Sequence, residues 1–257
     1  MKTALITGAS GGLGEEFAKL FAQDSYDLVL VARNQERLQA VAKELQSKYN
    51  VAAHIIAIDL SVPNAATMLF KELQKRNIQV HTLVNNAGFG AYGLFHETSY
   101  EHEKQLLQVN ITALTDLTKL LLPQMVQRKS GAILNIASTA AFQPGPLMAV
   151  YYASKAYVMN FSLALSEELK GTGISVTCLC PGPTKTGFEK NAHMGTSRLF
   201  QKRVMDAATV ARIGYHALKT GRPLVVAGRL NAFGAFMTRF VPRMWAACIA
   251  RQVQAPR

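Results

Sequence analysis

Tyr151 and Lys155 stand four residues apart in Tyr151-Tyr152-Ala153-Ser154-Lys155, just after the break Pro144-Gly145-Pro146 and at the head of a long helix-like run. On a helix, positions i and i+4 share a face, roughly 5–6 Å apart at Cβ. An ammonium that close favours the phenolate and draws the Tyr pKa from its reference of about 10 toward neutrality. A phenol tuned in that way passes a proton to or from a carbonyl oxygen near neutral pH. The same spacing also arises with no catalytic meaning, so the elements around the pair decide.

The first such element is at the start of the chain. Lys2 to Thr7 reads as a short buried strand, followed at once by Gly8-Ala9-Ser10-Gly11-Gly12-Leu13-Gly14. Leu13, Phe17, Leu20 and Phe21 then recur at helical spacing. Strand, glycine turn and helix N-terminus together make a phosphate cradle: glycine lets the backbone approach a pyrophosphate, and free N–H groups with the helix dipole favour the anion. A second strand, Asp27–Ala32, ends at Arg33. An acid there would accept from the ribose 2′-hydroxyl of NAD, whereas Arg33 is a bidentate partner for the 2′-phosphate of NADP, with Arg37 one helical turn further on.

The strands expected next are 53–58, ending at Asp59, then 82–84, 132–136, 175–180 and 224–226, with helices expected over 35–49, 64–76, 99–129, 151–170 and 206–220. Alternating strands and helices with short connections predict an α/β protein: a single-domain Rossmann fold, a doubly wound seven-stranded parallel sheet with helices on both faces. Ligands in such a fold sit at the carboxyl ends of the strands, where Gly8, Arg33, Asp59 and Asn86 fall. Asn110 lies among apolar neighbours and must be hydrogen-bonded, as a structural tie or as the holder of a water. The stretch from Thr184 to about Met205 has no strong period and reads as a lid over about 183–205.

Composition narrows the classes. At 257 residues, 49% hydrophobic and 17% charged, the chain has ample material for a core. Cys178, Cys180 and Cys248 are too few and too oddly spaced for a disulfide framework or a zinc site, and no metal is expected. The first strand begins almost at the initiator Met and no apolar run suffices to span a bilayer, so a cytoplasmic protein is expected. Of the net charge of +12, residues 190–257 carry +11, from twelve Lys/Arg against Asp206. No recognition motif accompanies the charge, and nucleic acid is not an expected partner.

These motifs, in this order, resemble the short-chain dehydrogenase/reductase family over residues 3 to about 228: Thr7-Gly8-Ala9-Ser10-Gly11-Gly12-Leu13-Gly14, Asp59, Asn85-Asn86-Ala87-Gly88, Asn110, Ser138, Tyr151-x-x-x-Lys155 and Pro181-Gly182. The resemblance implies Tyr151 as the acid/base, Lys155 as the group that lowers its pKa and holds the nicotinamide ribose, and Ser138 as the partner of the substrate oxygen. It implies that Asn110 holds a water linking Lys155 to solvent. Ser10, Leu13 and Gly14, with Gly8 and Gly12, would meet the pyrophosphate. Asp59 would bind the adenine amino group beside Leu60, and Asn86, Ala87 and Gly88 the adenine ribose side. Pro181, Gly182, Thr184 and Thr186 would border the nicotinamide; Thr184 departs from the family's usual aliphatic residue but offers the same backbone. A homodimer or homotetramer, paired through the helices over 99–129 and 151–170, is also implied.

The implied activity is interconversion of a carbonyl and an alcohol with NADP(H), with residues 1–228 as the cofactor-binding domain. A 3-oxoacyl-[acyl carrier protein] reductase, docking an acidic carrier on the basic C-terminal region, is a second expectation; a catalytically silent NADP-bound regulator or scaffold belongs to a third class. Residues 229–257 form a basic amphipathic extension, with Leu230, Phe233, Met237, Phe240, Val241, Met244 and Trp245 recurring among Arg229, Arg239, Arg243 and Arg251 and a break expected at Pro242. Such a segment covers a greasy cleft, makes a subunit contact or touches a membrane surface, and it points to a hydrophobic substrate. Met148 and Phe142 suggest either an apolar pocket wall or ordinary packing.

Overall fold

The structure is a computed structural model that describes residues 1–187 and 204–254; most of the expected lid lies outside the described residues. Apolar runs such as Leu28-Val29-Leu30-Val31 make strands that are covered on both faces. The strands β1 (Thr3–Thr7), β2 (Asp27–Ala32) and β3 (Ala53–Ala57) alternate with the helices α1 (Gly12–Gln23) and α2 (Gln35–Tyr49), and α3 (Ala65–Lys75) leads to β4 (Thr82–Asn85). Then come α4 (Tyr100–Leu107), α5 (Leu114–Gln127), β5 (Gly131–Ile136), α6 (Ala149–Glu168) and β6 (Ile174–Cys180). Two two-residue strands, β7 (Thr184–Lys185) and β8 (Met205–Asp206), precede α7 (Ala207–Lys219) and β9 (Leu224–Val226).

The main sheet has seven parallel strands in the order β3-β2-β1-β4-β5-β6-β9. Successive residues of a strand serve opposite layers. Ala4 and Ile6 pack with Phe17, Phe21, Leu38 and Leu45 on one side, while Leu5 packs with Leu69, Leu73, Leu117 and Leu121 on the other. Fully burying a side chain such as Phe17 or Leu69 stabilises the fold by about 1.5–3 kcal/mol. The order reverses at β1, which pairs with both β2 and β4, so the crevice of the fold opens above Thr7 and Asn85.

The helix expected over 99–129 is broken. Between α4 and α5 the chain makes a π-helical turn, Gln108–Ala113, whose extra residue lets Asn110 turn inward. The C-terminal run also divides, at Pro242, into α8 (Arg229–Met237), a 3₁₀ turn (Thr238–Phe240) and α9 (Arg243–Gln254). These last helices press small residues inward (Ala235, Ala246 and Ala250) and leave Leu230, Phe233, Met244 and Trp245 more than 60% exposed. No helix among the described residues is long and apolar enough to cross a membrane.

Candidate active site

The cradle is set by close backbone packing. Gly8 has φ +67°, and a Cβ there would lie 2.8 Å from Asn86 Nδ2; one on Gly14 would lie 2.2 Å from the Gly8 carbonyl oxygen. Neither position has room for a side chain. The Thr7 hydroxyl accepts from the backbone N–H groups of Asn86 (3.0 Å) and Ala87 (2.9 Å), which locks the ends of β1 and β4 together. Asn86 in turn donates to the Thr7 carbonyl at 2.9 Å. At the start of α1 the cap is Gly11, which supplies no side-chain bond, so first-turn N–H groups remain for an anion. These are the features that a dinucleotide pyrophosphate fits.

A polar ladder crosses the core beneath. Asn85 Nδ2 donates to Thr118 Oγ1 (3.1 Å) and Asn135 Oδ1 (2.9 Å), and Asn135 Nδ2 donates to Ser162 Oγ (2.9 Å). It joins β4, β5, α5 and α6, and so fixes the helix that carries Tyr151 and Lys155. Asn110 adds a second tie: its Nδ2 donates to the Phe89 carbonyl (3.0 Å) and Ser154 Oγ (3.1 Å), and its Oδ1 accepts from Phe89 N–H (3.1 Å). Both side-chain donors of Asn110 are thereby taken by protein, as the buried position requires.

Ser138 ends the extended chain after β5; its hydroxyl accepts from Ala140 N–H at 3.1 Å and caps the 3₁₀ turn Thr139–Phe142. It also hydrogen-bonds Tyr151. Lys155 is 6% exposed, donates to the Ile136 carbonyl at 2.9 Å and stands 5.7 Å from the centre of the Tyr151 ring. Burial pushes the Tyr151 phenol up to about 12, outweighing the Ser138 hydrogen bond that pulls it down. Burial also lowers the Lys155 ammonium to about 8. The expected fall of the Tyr151 pKa toward neutrality is therefore corrected in direction: in this geometry desolvation of the phenol is the largest influence on it.

A cavity of about 530 Å³ joins these parts. From the cradle it takes Gly8, Ser10, Gly12 and Leu13, and from the end of β4 Asn86, Ala87 and Gly88. Ser138, Tyr151 and Lys155 line its centre, with Pro181, Gly182, Thr184 and Thr186 beside them. Five expected residues do not line it. Gly14 and Asn110 lie behind the wall, against Gly8 and Gly88 respectively. Leu60 is buried against Ala65, Val109 and Ala113. Arg33 and Asp59 stand past the ends of β2 and β3, 3.9 Å apart, with the Arg33 side chain 73% exposed. Of the two residues read as pocket wall or ordinary packing, Phe142 packs with Cys178, Cys180 and Val158 and is not among the described residues that line the cavity, while Met148 does line it.

Sequence reasoning allowed the C-terminal segment to cover a greasy cleft but named only Leu230 of the residues there that line it. Leu230, Ala235, Ile249 and Val253 of the C-terminal helices border the cavity, and Asn231 lies so close that a Cβ on Gly182 would be 2.4 Å from its Nδ2. Gln254 is fully buried there, with neither side-chain amide atom hydrogen-bonded among the described residues, while its backbone carbonyl accepts from Tyr92 Oη at 2.6 Å. The amphipathic period placed these residues on a helix but could not say which face meets the cleft.

Comparison with known proteins bears on the family and the fold. A family described as short chain dehydrogenase matches residues 2–196. A very-long-chain 3-oxoacyl-CoA reductase of Pyrenophora tritici-repentis is 34% identical over 82% of this chain and 63% of its own length. The chain thus spans less than two thirds of that relative. A short-chain dehydrogenase from Sphingobium yanoikuyae, solved in complex with NADPH, is 32% identical, with a TM-score of 0.82 over 93% of this chain and 94% of its own. A bulky-bulky ketone specific alcohol dehydrogenase from Comamonas testosteroni is 28% identical, with a TM-score of 0.80 over 93% and 92% of the two chains.

Proposed function

The chain belongs to the short-chain dehydrogenase family, and from that premise we propose that it is an NADP(H)-dependent oxidoreductase interconverting a hydrophobic ketone or aldehyde and its alcohol. One observation carries the reading: Ser138, Tyr151 and Lys155 line the same cavity as the glycine cradle. A bound nicotinamide dinucleotide supplies the hydride. The cradle holds its pyrophosphate, and Arg33, with Arg37 at the cavity, favours a 2′-phosphate over a bare hydroxyl. The Sphingobium relative's complex with NADPH supports the same choice.

The remaining work falls to side chains of this protein. Tyr151 donates its proton to the carbonyl oxygen during reduction and takes one back during oxidation. A phenol held up to about 12 is fully protonated at neutral pH, as a donor must be. Ser138 gives the same oxygen a hydrogen bond that strengthens as negative charge develops on it. Lys155, still largely charged below about 8, steadies the phenolate left on Tyr151 and restores its proton. Asn110 fixes the helix that holds them. Leu230, Met148, Ile249 and Val253 supply an apolar wall for the substrate's body.

A second reading, favoured by the 3-oxoacyl-CoA reductase relatives, is a 3-oxo thioester whose acyl chain lies along that wall. The reading includes a homodimer or homotetramer, supported by exposed Leu107 on α4, Val126 on α5 and Tyr157 on α6. Following NADPH oxidation against bulky ketones, aldehydes and 3-oxoacyl thioesters tests it. Turnover of a ketone or aldehyde is expected; no turnover of any of the three would sink it.

A further inference from the structure

The C-terminal helices are built inside out. In α9 the inward positions Ala246 and Ala250 are 7% and 3% exposed, while Met244, Trp245, Ile249 and Val253 are 74%, 70%, 54% and 45% exposed. In α8 Ala235 is inward, and Leu230, Phe233 and Phe236 face out, followed by Phe240 in the 3₁₀ turn. A helix that merely packed on its own core would bury the large side chains and expose the small ones. The expectation that the large residues cover the cleft is therefore only partly met: their bulk points away from the protein.

Charge selects what covers the face. After Asp206 no acidic residue occurs to the end of the chain, against seven arginines and one lysine. Arg229, Arg239, Arg243 and Arg251 are all exposed on or beside these two helices. A second copy docked through this same face would bring the arginines of both copies together with no acid after Asp206 to pair them. Aromatic and aliphatic side chains on one face, with basic charge only, suit an interface of acyl chains and anionic headgroups. The face is also continuous with the cavity, since Leu230, Ile249 and Val253 belong to both.

We propose that α8 and α9 dock the protein on an anionic lipid surface, with the mouth of the cavity turned toward the bilayer so that a lipophilic substrate enters from it. The entry of substrate rests on the reductase reading; the docking does not.

Trp245 is the single tryptophan of the chain and sits on the proposed face, so it reports contact directly. The experiment is co-sedimentation and Trp245 emission with vesicles of phosphatidylcholine alone and of phosphatidylcholine with phosphatidylglycerol. Binding with a blue shift is expected on the anionic vesicles, weakening as salt is raised. Arg239→Gln and Arg243→Gln should each weaken it about fivefold, and Phe240→Ser with Met244→Ser roughly tenfold or more. None of these four residues lines the cavity, so NADPH oxidation with a water-soluble carbonyl checks that the variants stay folded. Lack of binding to anionic vesicles, or binding that the Phe240/Met244 variant leaves intact, would overturn the proposal. A dimer in solution that this variant dissociates, without vesicle binding, would assign the face to a second copy. Vesicle binding by a chain that reduces no carbonyl would keep the docking and remove the reductase reading.

Discussion

The two ends of the cavity are made by different means. At the cradle, backbone meets backbone: a Cβ on Gly14 would lie 2.2 Å from the Gly8 oxygen, and one on Gly8 2.8 Å from Asn86. At the other end, α8 and α9 lay a wall of side chains, with alanines at the contact and Leu230, Ile249 and Val253 at the rim. The first end has no slack and suits a ligand of fixed shape. The second can change one residue at a time without disturbing the sheet, as suits a substrate-facing wall. Tyr151 and Lys155 sit where the two meet.

The sharpest tests of that division start at the junction. Tyr151→Phe is expected to lower turnover by about 10²–10⁴-fold while leaving NADPH affinity nearly intact; weakened affinity by fluorescence titration would place the phenol at the cradle end. Lys155 gives a pH test. Burial lowers it from 10.5 to about 8, so between those values the unfolded chain holds a proton that the folded chain has released. Stability from this group therefore rises with pH across that window, by about 3 kcal/mol in order of magnitude, and Lys155→Met should flatten the rise in urea melts.

Gly14→Ala should cost about 1–3 kcal/mol of stability and weaken NADPH, because α1 must move off β1; a neutral result in urea unfolding would break the claim that this end has no slack. Arg33→Asp should weaken NADPH by about tenfold to a hundredfold and narrow its lead over NADH, measured by paired titrations. Val253→Ala, at the rim, should change KM for a bulky ketone only a few-fold at most and leave the melting temperature nearly unchanged. A large stability loss there would erase the contrast.

What the sequence made legible follows the same division. The cradle could be read because its constraint is local: glycines at fixed spacing between a strand and a helix. The parallel sheet could be read because strands buried on both faces, such as Leu28-Val29-Leu30-Val31, are apolar without alternation. The break at Gln108–Ala113 left no local mark; the bond that Asn110 makes within it goes to Phe89, 21 residues away. The direction of the phenol's shift was not legible for a related reason: spacing gives the nearness of Lys155, while the burial that pushes the phenol up depends on elements distant in the chain. Periodicity found the C-terminal helices but not their inversion, because a hydrophobic stripe has the same period whichever way it faces.

The short pair β7 and β8 has a consequence for how such a chain diversifies. Thr184 and Lys185 are laddered to Met205 and Asp206, and Asp206 caps α7 through Thr209 N–H at 2.7 Å. Residues 184–185 and 205–206, twenty positions apart in the chain, are therefore held at one clasp. The entropy of closing a stretch of chain grows slowly, by about 0.6 kcal/mol for each doubling of its length. A change in the number of residues between Lys185 and Met205 would therefore cost the clasp little, and would leave β6 and α7, and the side chains they position, where they are.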